Sequence, residues 1–264
     1  MVVASCLRCC SRSVVEVRSV FSPISTKFED LPQHIPVFPL TGALLLPGGR
    51  LPLNLFEPRY LNMSLDSLAA GRMIGMIQPN YDVLGGGNPL DDEELGDDED
   101  DESESTIDLP DDDDVPLYKT GCVGRIVYFE ETDDGRLLIA LRGLNRFRMV
   151  EELEGLKGYR RVRADYTPFR QDMEPRKEFD LDRDTLLETL QPYIDAQGMR
   201  LKVDIIKGLS DHTLVSSLCM ICPFDPREKQ ALLESETPED RADMLLALLQ
   251  MGVFEAGAPE GPSQ

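Results

Sequence analysis

The chain has 264 residues, with 49 Asp or Glu against 27 Lys or Arg, so its formal charge at pH 7 is −22. Apolar residues make up 41%, too many for a wholly disordered chain and too few for a bundle of membrane helices. No apolar run approaches the roughly 18 residues of a spanning helix. Lys and Arg form no basic stripe along the sequence. We therefore expect neither a membrane nor a nucleic acid as partner.

The negative charge is concentrated in one segment. Residues 91–114 include 16 acidic and no basic residues, whereas the rest of the chain has 33 acids and 27 bases. Such a segment cannot bury enough apolar surface to offset its ordering entropy, so we predict a disordered acidic insertion at about residues 82–116. It lacks the glycine bend and distal Glu of a calcium-binding loop, and a solvated loop is the simpler reading.

The N-terminus leaves several alternatives open. Residues 1–33 are predicted to be a flexible tail, and the first 30 are rich in Ser with scattered Arg. This composition fits an organellar transit peptide, an inert tail or a start assigned too early. Arg8 and Arg12 interrupt the apolar run that a secretory signal needs, and the six cysteines form no disulfide framework. We expect a cytoplasmic protein, or one of an organellar matrix if the segment directs import.

Residues 34–170 are predicted to form a β domain. The run 34–40 contains two prolines, which predicts an edge strand or a strand that ends in a turn. Leucines alternate over 51–55 as in a half-buried strand, a helix follows from Pro58, and 73–77 return as a strand. An Asp-Gly pair at 134–135 predicts a hairpin, and residues 159–166 alternate again. The predicted apolar stripe of the helix consists of Tyr60, Leu61, Leu65 and Leu68.

Residues 171–254 change to a helical period and are predicted to form an α-helical subdomain, with a tail at 255–264. Four helices are expected, of which the second begins at Ser210, the third at Asp225 and the fourth at Thr237. Met244, Leu245, Leu248 and Met251 are predicted to line the apolar face of the fourth helix.

Enzyme motifs are missing from the sequence. The chain has two histidines, no G-x-S-x-G and no P-loop, so we predict no catalytic residue and no cofactor. Cys219 and Cys222 form a single C-x-x-C, but no second pair completes four zinc ligands. Their spacing matches the apolar face of a helix, which favours core packing over a metal site.

Several motifs occur in the order found in one family. Residues 35–40 read IPVFPL, residues 46–60 read LPGGRLPLNLFEPRY, and residues 141–148 read LRGLNRFR. With the hairpin between them, they resemble the Lon N-terminal domain family, the substrate-binding domain of the ATP-dependent protease Lon. The similarity covers residues 34–253, and the FEPRY string is typical of stand-alone members.

The resemblance implies an α+β fold, in which a PUA-like β pseudobarrel precedes a C-terminal α-helical bundle. It also implies a protein that binds and does not cut, because the ATPase and Ser-Lys protease motifs of full-length Lon are missing. The implied partners are unfolded polypeptides or client proteins for proteolysis or quality control, with a separate protease as a further partner. Two alternatives stay open: a small-molecule-binding regulatory domain, and a hydrolase with an unrecognised site.

Candidate contacts for an extended peptide lie near the strand edge that the resemblance implies. Strand alternation explains the apolar ones equally well as barrel core, and the arginines can either orient acidic peptides or brace the barrel. The candidates are Leu53, Leu55, Phe56, Arg59, Tyr60, Met76, Arg142 and Arg146.

Overall fold

The computed structural model describes residues 26–84, 115–175, 178–199 and 208–257. Most of the predicted N-terminal tail, most of the acidic insertion and most of the C-terminal tail lie outside these residues. Within these ranges, none of the helices is long and apolar enough to cross a membrane.

Within the described residues the fold has six strands and five α-helices. The strands are β1 (His34–Pro39), β2 (Arg50–Leu55), β3 (Met73–Ile77), β4 (Thr120–Glu131), β5 (Leu137–Leu156) and β6 (Tyr159–Asp165). The helices are α1 (Pro58–Ala69), α2 (Arg183–Ala196), α3 (Asp211–Ile221), α4 (Pro226–Glu234) and α5 (Pro238–Gly257). Short 3-10 turns at Phe28–Asp30, Tyr81–Leu84 and Thr167–Met173 complete the order. The α+β class and the sequence of β domain followed by helices are confirmed.

The long strand β5 closes the sheet into a barrel. The strand order is β2-β5-β4-β3-β1-β6, and β5 also pairs with β6. The first half of β5 lies between β2 and β4, whereas residues from Arg148 to Leu156 pair with β6. Five strands therefore form a closed ring, and β2 adds a sixth strand outside it.

Strand β1 is not an edge strand, because it changes partner halfway along. Residues 34–36 pair with β6, and residues 37–39 pair in parallel with β3. Each half of β1 pairs with one strand, and among the described residues its other side has no strand to bond. Pro36 and Pro39, which lack an N–H, are therefore tolerated without the loss of a ladder hydrogen bond. The second predicted alternative is right, since the strand ends in a turn at residues 41–42.

The buried face of α1 differs from the predicted stripe. Tyr60 and Met63 are buried together with the small polar Ser64 and Ser67, whereas Leu65 is 59% exposed. Ser67 satisfies its hydroxyl by donating to the Met63 carbonyl. The predicted stripe is therefore right for Tyr60, and for Leu61 and Leu68, which pack partly buried against the larger core, but wrong for Leu65.

Two apolar clusters hold the molecule together. One fills the barrel interior around Ile35, Val123 and Phe147. The larger one lies between the outer side of the sheet and the helices, and contains residues of β2, α1 and all four C-terminal helices. The larger cluster therefore spans the β domain and the helices, and burial of its apolar surface holds the two together.

On α5 the buried positions are Ala242, Leu245 and Leu249, so the predicted face is wrong at its C-terminal end, where Met251 is 54% exposed.

Candidate functional site

Strand β4 extends beyond its neighbour β3 and leaves an open sheet edge. The last pair between them joins Met73 to Arg125, and β4 continues for six more residues to Glu131. Over this stretch β4 pairs with β5 on one side. On its other side no strand pairs with it in the part of the chain that the structure describes. We define residues 126–131 as the β4 edge.

The β4 edge presents apolar side chains to solvent. Val127, Tyr128 and Phe129 are 43%, 47% and 54% exposed. Phe129 lies in register with Ile139 and Leu53, both of which are buried in the larger core. Cross-strand partners share a face of the sheet. Phe129 therefore lies on the same face as the buried Ile139 and Leu53, at the uncovered edge of that face. An exposed apolar edge of this kind is a template for another strand.

Main-chain groups on the β4 edge can accept a partner strand. The Thr132 N–H donates to the Arg136 carbonyl, so this residue points its backbone towards β5. Backbone groups alternate in direction along a strand, which turns those of Phe129 and Glu131 to the open side. The Ile126 N–H is occupied, because it donates to the Arg72 carbonyl. A register shift at Val127 separates Ile126, which is bonded in this way, from the open stretch that begins at Tyr128.

Four of the candidate residues lie inside the core. Leu53, Leu55, Tyr60 and Met76 are all at most 9% exposed and belong to the larger apolar cluster. The ring centroids of Tyr60 and Phe38 lie 4.1 Å apart. In this conformation these four side chains form the support behind the surface and are not accessible to a ligand.

Two other candidates are exposed, and a third is partly buried. Phe56 is 48% exposed, and Arg142 is exposed on β5. Arg59 is partly buried, with its Nε 2.9 Å from Glu57 and its guanidinium 4.7 Å from the ring centroid of Tyr60. Arg59 therefore packs against the first turn of α1, whereas Phe56 and Arg142 face solvent.

Arg146 joins the barrel to the helices. Its side chain is 2% exposed and forms a two-pronged ion pair with Asp172, with Nε and Nη2 each 2.9 Å from a carboxylate oxygen. Its Nη1 donates to the carbonyls of Leu233 and Ser235 at the end of α4. These bonds give Arg146 a bracing role between the two halves.

A cleft of about 280 Å³ lies at this junction. Arg146 and Arg241 are among its buried lining residues, and the exposed Glu174, Glu236 and Glu239 lie around it. Arg241 donates from Nε to the Leu232 carbonyl at 2.8 Å. Both guanidinium groups donate to main-chain carbonyls, and Arg146 also binds the Asp172 carboxylate. These contacts tie the walls of the cleft together.

Cys219 and Cys222 are both buried in the larger core, as predicted from their spacing. Burial raises the pKa of each thiol to about 12, so both remain protonated at neutral pH and are poor nucleophiles or metal ligands.

The sequence argument missed Val127 and Phe129. Their signal was present, because the strand before the Asp-Gly turn is more than twice as long as 73–77, its antiparallel neighbour. A strand that is longer than its neighbour has an unpaired edge over the extra residues. The sequence does not say which strand is the neighbour, since that depends on the sheet topology.

Comparison with known proteins identifies the family. The family model described as the ATP-dependent protease La (LON) substrate-binding domain matches residues 34–251. The solved structure of a Lon N-terminal domain protein from Xanthomonas campestris shares the fold with a TM-score of 0.50 and 21% identity. It covers 81% of this chain and 97% of that one.

Relatives found by sequence are longer proteins. Lon protease 2 of Myxococcus xanthus is 25% identical over 231 residues, which are 87% of this chain and 22% of that protein. Lon protease of Flavobacterium johnsoniae is 24% identical over 123 residues, 47% of this chain and 12% of that protein. The chain thus spans less than a quarter of these relatives. Since the family model matches most of its length, the chain belongs to the Lon substrate-binding domain family.

Proposed function

We propose that the protein binds extended segments of unfolded or client polypeptides at the β4 edge and does not cut them. The observation that carries the proposal is the apolar stretch of β4 beyond β3, with the backbone of Phe129 and Glu131 turned to its open side. Membership of a substrate-binding family agrees with it.

Strand addition explains how one surface can accept many sequences. Main-chain hydrogen bonds supply affinity without reading side chains, and neighbouring apolar groups supply preference. On the core-facing side of the β4 edge, Phe129 offers such a group, and Tyr128 offers one on the opposite face. A client segment with two consecutive apolar residues beside these positions would bury both rings, because successive side chains of a strand point to opposite faces.

The binding step needs no cofactor and no catalytic residue. The relatives named above are proteases that carry this region as a small part of a longer chain. We infer that this region recognises clients, and that a separate protease acts on those clients where proteolysis follows.

The test replaces Phe129 with Glu in the full chain. Binding of a fluorescein-labelled, permanently unfolded model protein is followed by anisotropy. We expect Phe129→Glu to weaken binding at least tenfold, about 1.4 kcal/mol, because an apolar segment laid on this position would remove the new carboxylate from water without a partner.

The matched control is Leu65→Glu, since Leu65 is 59% exposed on α1, away from the β4 edge. This variant should bind within twofold of the parent. If both variants bind like the parent, the β4 edge is not the site. The same mixtures, incubated with and without ATP, should show only intact model protein on a gel, and fragments would contradict the proposal of binding without cutting.

A further inference from the structure

Three arginines lie in one row across the sheet. Arg142 of β5 is in register with Arg50 of β2 on one side and with Arg125 of β4 on the other. Directly opposite residues share a face and place their Cβ atoms about 5 Å apart. Arg50 and Arg142 are exposed and Arg125 is half-buried. We call Arg50, Arg142 and Arg125 the arginine row.

The arginine row is unfavourable for the folded protein by itself, because like charges directly opposite one another destabilise a sheet. Arg125 donates from Nη1 to the Thr26 hydroxyl at 3.0 Å, which is a neutral partner. Within the described ranges, no carboxylate forms an ion pair with any of the three. Among the described residues these three adjacent positive charges therefore have no ion-pair partner.

Apolar surface follows the arginine row on the same face of the sheet. The next row on this face consists of Pro52, Ala140 and Tyr128, in register with one another, two residues further along β2 and β5 and three along β4 because of the register shift at Val127. The next row ends in Glu130, whose carboxylate accepts a hydrogen bond from the Tyr128 hydroxyl. Positive charge, apolar surface and negative charge thus succeed one another along this face.

We propose that this exposed face, opposite the one that packs against the helices, binds an acidic polypeptide segment, with its carboxylates on the arginine row and its apolar residues on the Pro52, Ala140 and Tyr128 row. Guanidinium groups bind carboxylates through paired hydrogen bonds. That the ligand is a polypeptide rests on the proposed function. The arginine row and the apolar row that would bind it lie on the opposite face of the sheet from Phe129.

The charge pattern favours a polypeptide over a nucleic acid. A nucleic acid carries one negative charge on every nucleotide, and a strand laid along this face would meet Glu130 and the hairpin residues Asp133 and Asp134 after the arginine row. A polypeptide can place acids at one end and apolar or basic residues at the other, which matches the succession of charges.

The experiment uses two fluorescein-labelled synthetic peptides and the full chain. One peptide has three Asp or Glu followed by apolar residues, and in the other Asn or Gln replaces each acid. We expect the acidic peptide to bind at least tenfold more tightly in low salt. The difference should shrink as salt screens the charges. The double variant Arg50→Gln with Arg142→Gln should abolish the preference.

The matched control is Arg136→Gln, which removes one charge from the exposed β4–β5 hairpin, where Arg136 already pairs with Asp134. It should keep the preference for the acidic peptide. Equal loss in Arg136→Gln and in the double variant would show an effect of net charge alone and overturn the proposal. Equal binding of the two peptides to the parent protein would overturn it as well, as would tighter binding of a single-stranded oligonucleotide than of the acidic peptide.

Two further readings separate this proposal from the proposed function. The double variant should bind the neutral unfolded protein as the parent does, and Phe129→Glu should keep the preference for the acidic peptide. The double variant should also melt at the same temperature or about 1–3 °C higher, since like-charge contacts are relieved. A lower melting temperature with loss of both activities would mark a folding defect and count against an arginine row that serves binding alone.

Discussion

Arg146 ties three parts of the molecule together through one side chain. It lies on β5, its ion-pair partner Asp172 lies in the 3-10 turn after β6, and two carbonyls that it binds lie at the end of α4. The guanidinium also lies 4.6 Å from the centroid of the Phe169 ring. Replacement of Arg146 removes all of these contacts at once.

We therefore predict that Arg146→Met lowers the free energy of unfolding by about 3–5 kcal/mol, because it leaves the Asp172 carboxylate buried without its cation. Urea unfolding followed by circular dichroism measures the change. Arg136→Met is the control, since its pair with Asp134 is half-exposed and such pairs contribute about 0–1 kcal/mol. Similar losses in the two variants would contradict the bracing role of Arg146.

Cys219 and Cys222 link the stability of the helical core to pH. Each thiol has a pKa of about 12 in the folded protein, because burial disfavours the thiolate, against 9.0 when unfolded. Unfolded thiols release protons above pH 9 while folded ones keep them, so stability is complete below pH 9 and declines above it. We predict a loss of about 1 kcal/mol per thiol between pH 9 and 10.

Urea unfolding at pH 8, 9 and 10 tests this prediction. Replacement of both cysteines with Ala should lower stability at every pH, since it leaves cavities, but should make its decline with pH shallower. Other groups supply the remaining slope, among them Cys122, whose pKa burial also raises, and Tyr118, whose pKa burial and Asp82 raise to about 12. A decline that is equally steep in the Ala variant would show that these thiols do not contribute.

At the scale of elements, the sequence indicates where strands and helices lie better than which neighbours they have. The pattern over 51–55 and the Asp-Gly turn identify β2 and the β4–β5 hairpin, because periodicity and turn chemistry are local. Strand β1 shows the limit: its prolines exclude two full-length neighbours but not two half-length ones. Partner exchange within a strand is a property of the closed ring.

For the candidate site too, the sequence predicts which face of a strand a residue lies on but not what covers that face. Alternation correctly marks Leu53 and Leu55 as residues of one face, and it cannot say whether that face is covered. The helices after residue 180 cover it, through contacts distant in sequence, and leave only its end at Phe129 exposed. The arginine row needs registers on both sides of β5, which no local pattern provides.

At the scale of the whole molecule, both ends of the segment 85–114 leave the fold at one place. Pro79 bridges to Leu117, the Asn80 N–H donates to the Pro116 carbonyl at 2.6 Å, and Asp82 pairs with Arg227 of α4. The described fold thus extends to Leu84 and resumes at Val115, a little further into the predicted insertion than the sequence indicated. These contacts close the segment irrespective of its length.

We predict that deletion of residues 91–114 leaves a single cooperative thermal transition, within about 3 °C of the parent. Six residues, 85–90, remain to join Leu84 to Val115, and a shorter loop has a smaller closure entropy. Circular dichroism during heating measures the transition. A second variant, with the 16 acids replaced by Asn and Gln, separates length from charge. A broad or lost transition in the deletion variant would refute the prediction.

The carboxylates at the end of the β4–β5 hairpin have a consequence for how copies of this protein meet. An unpaired apolar strand invites the same strand of another molecule, which is a route to aggregation. Two copies that pair their β4 edges in parallel and in register would bring Glu130 and Glu131 of one beside those of the other. Like charges at such a contact repel, so the hairpin acts as a gatekeeper that disfavours self-pairing while its apolar residues stay available to other chains.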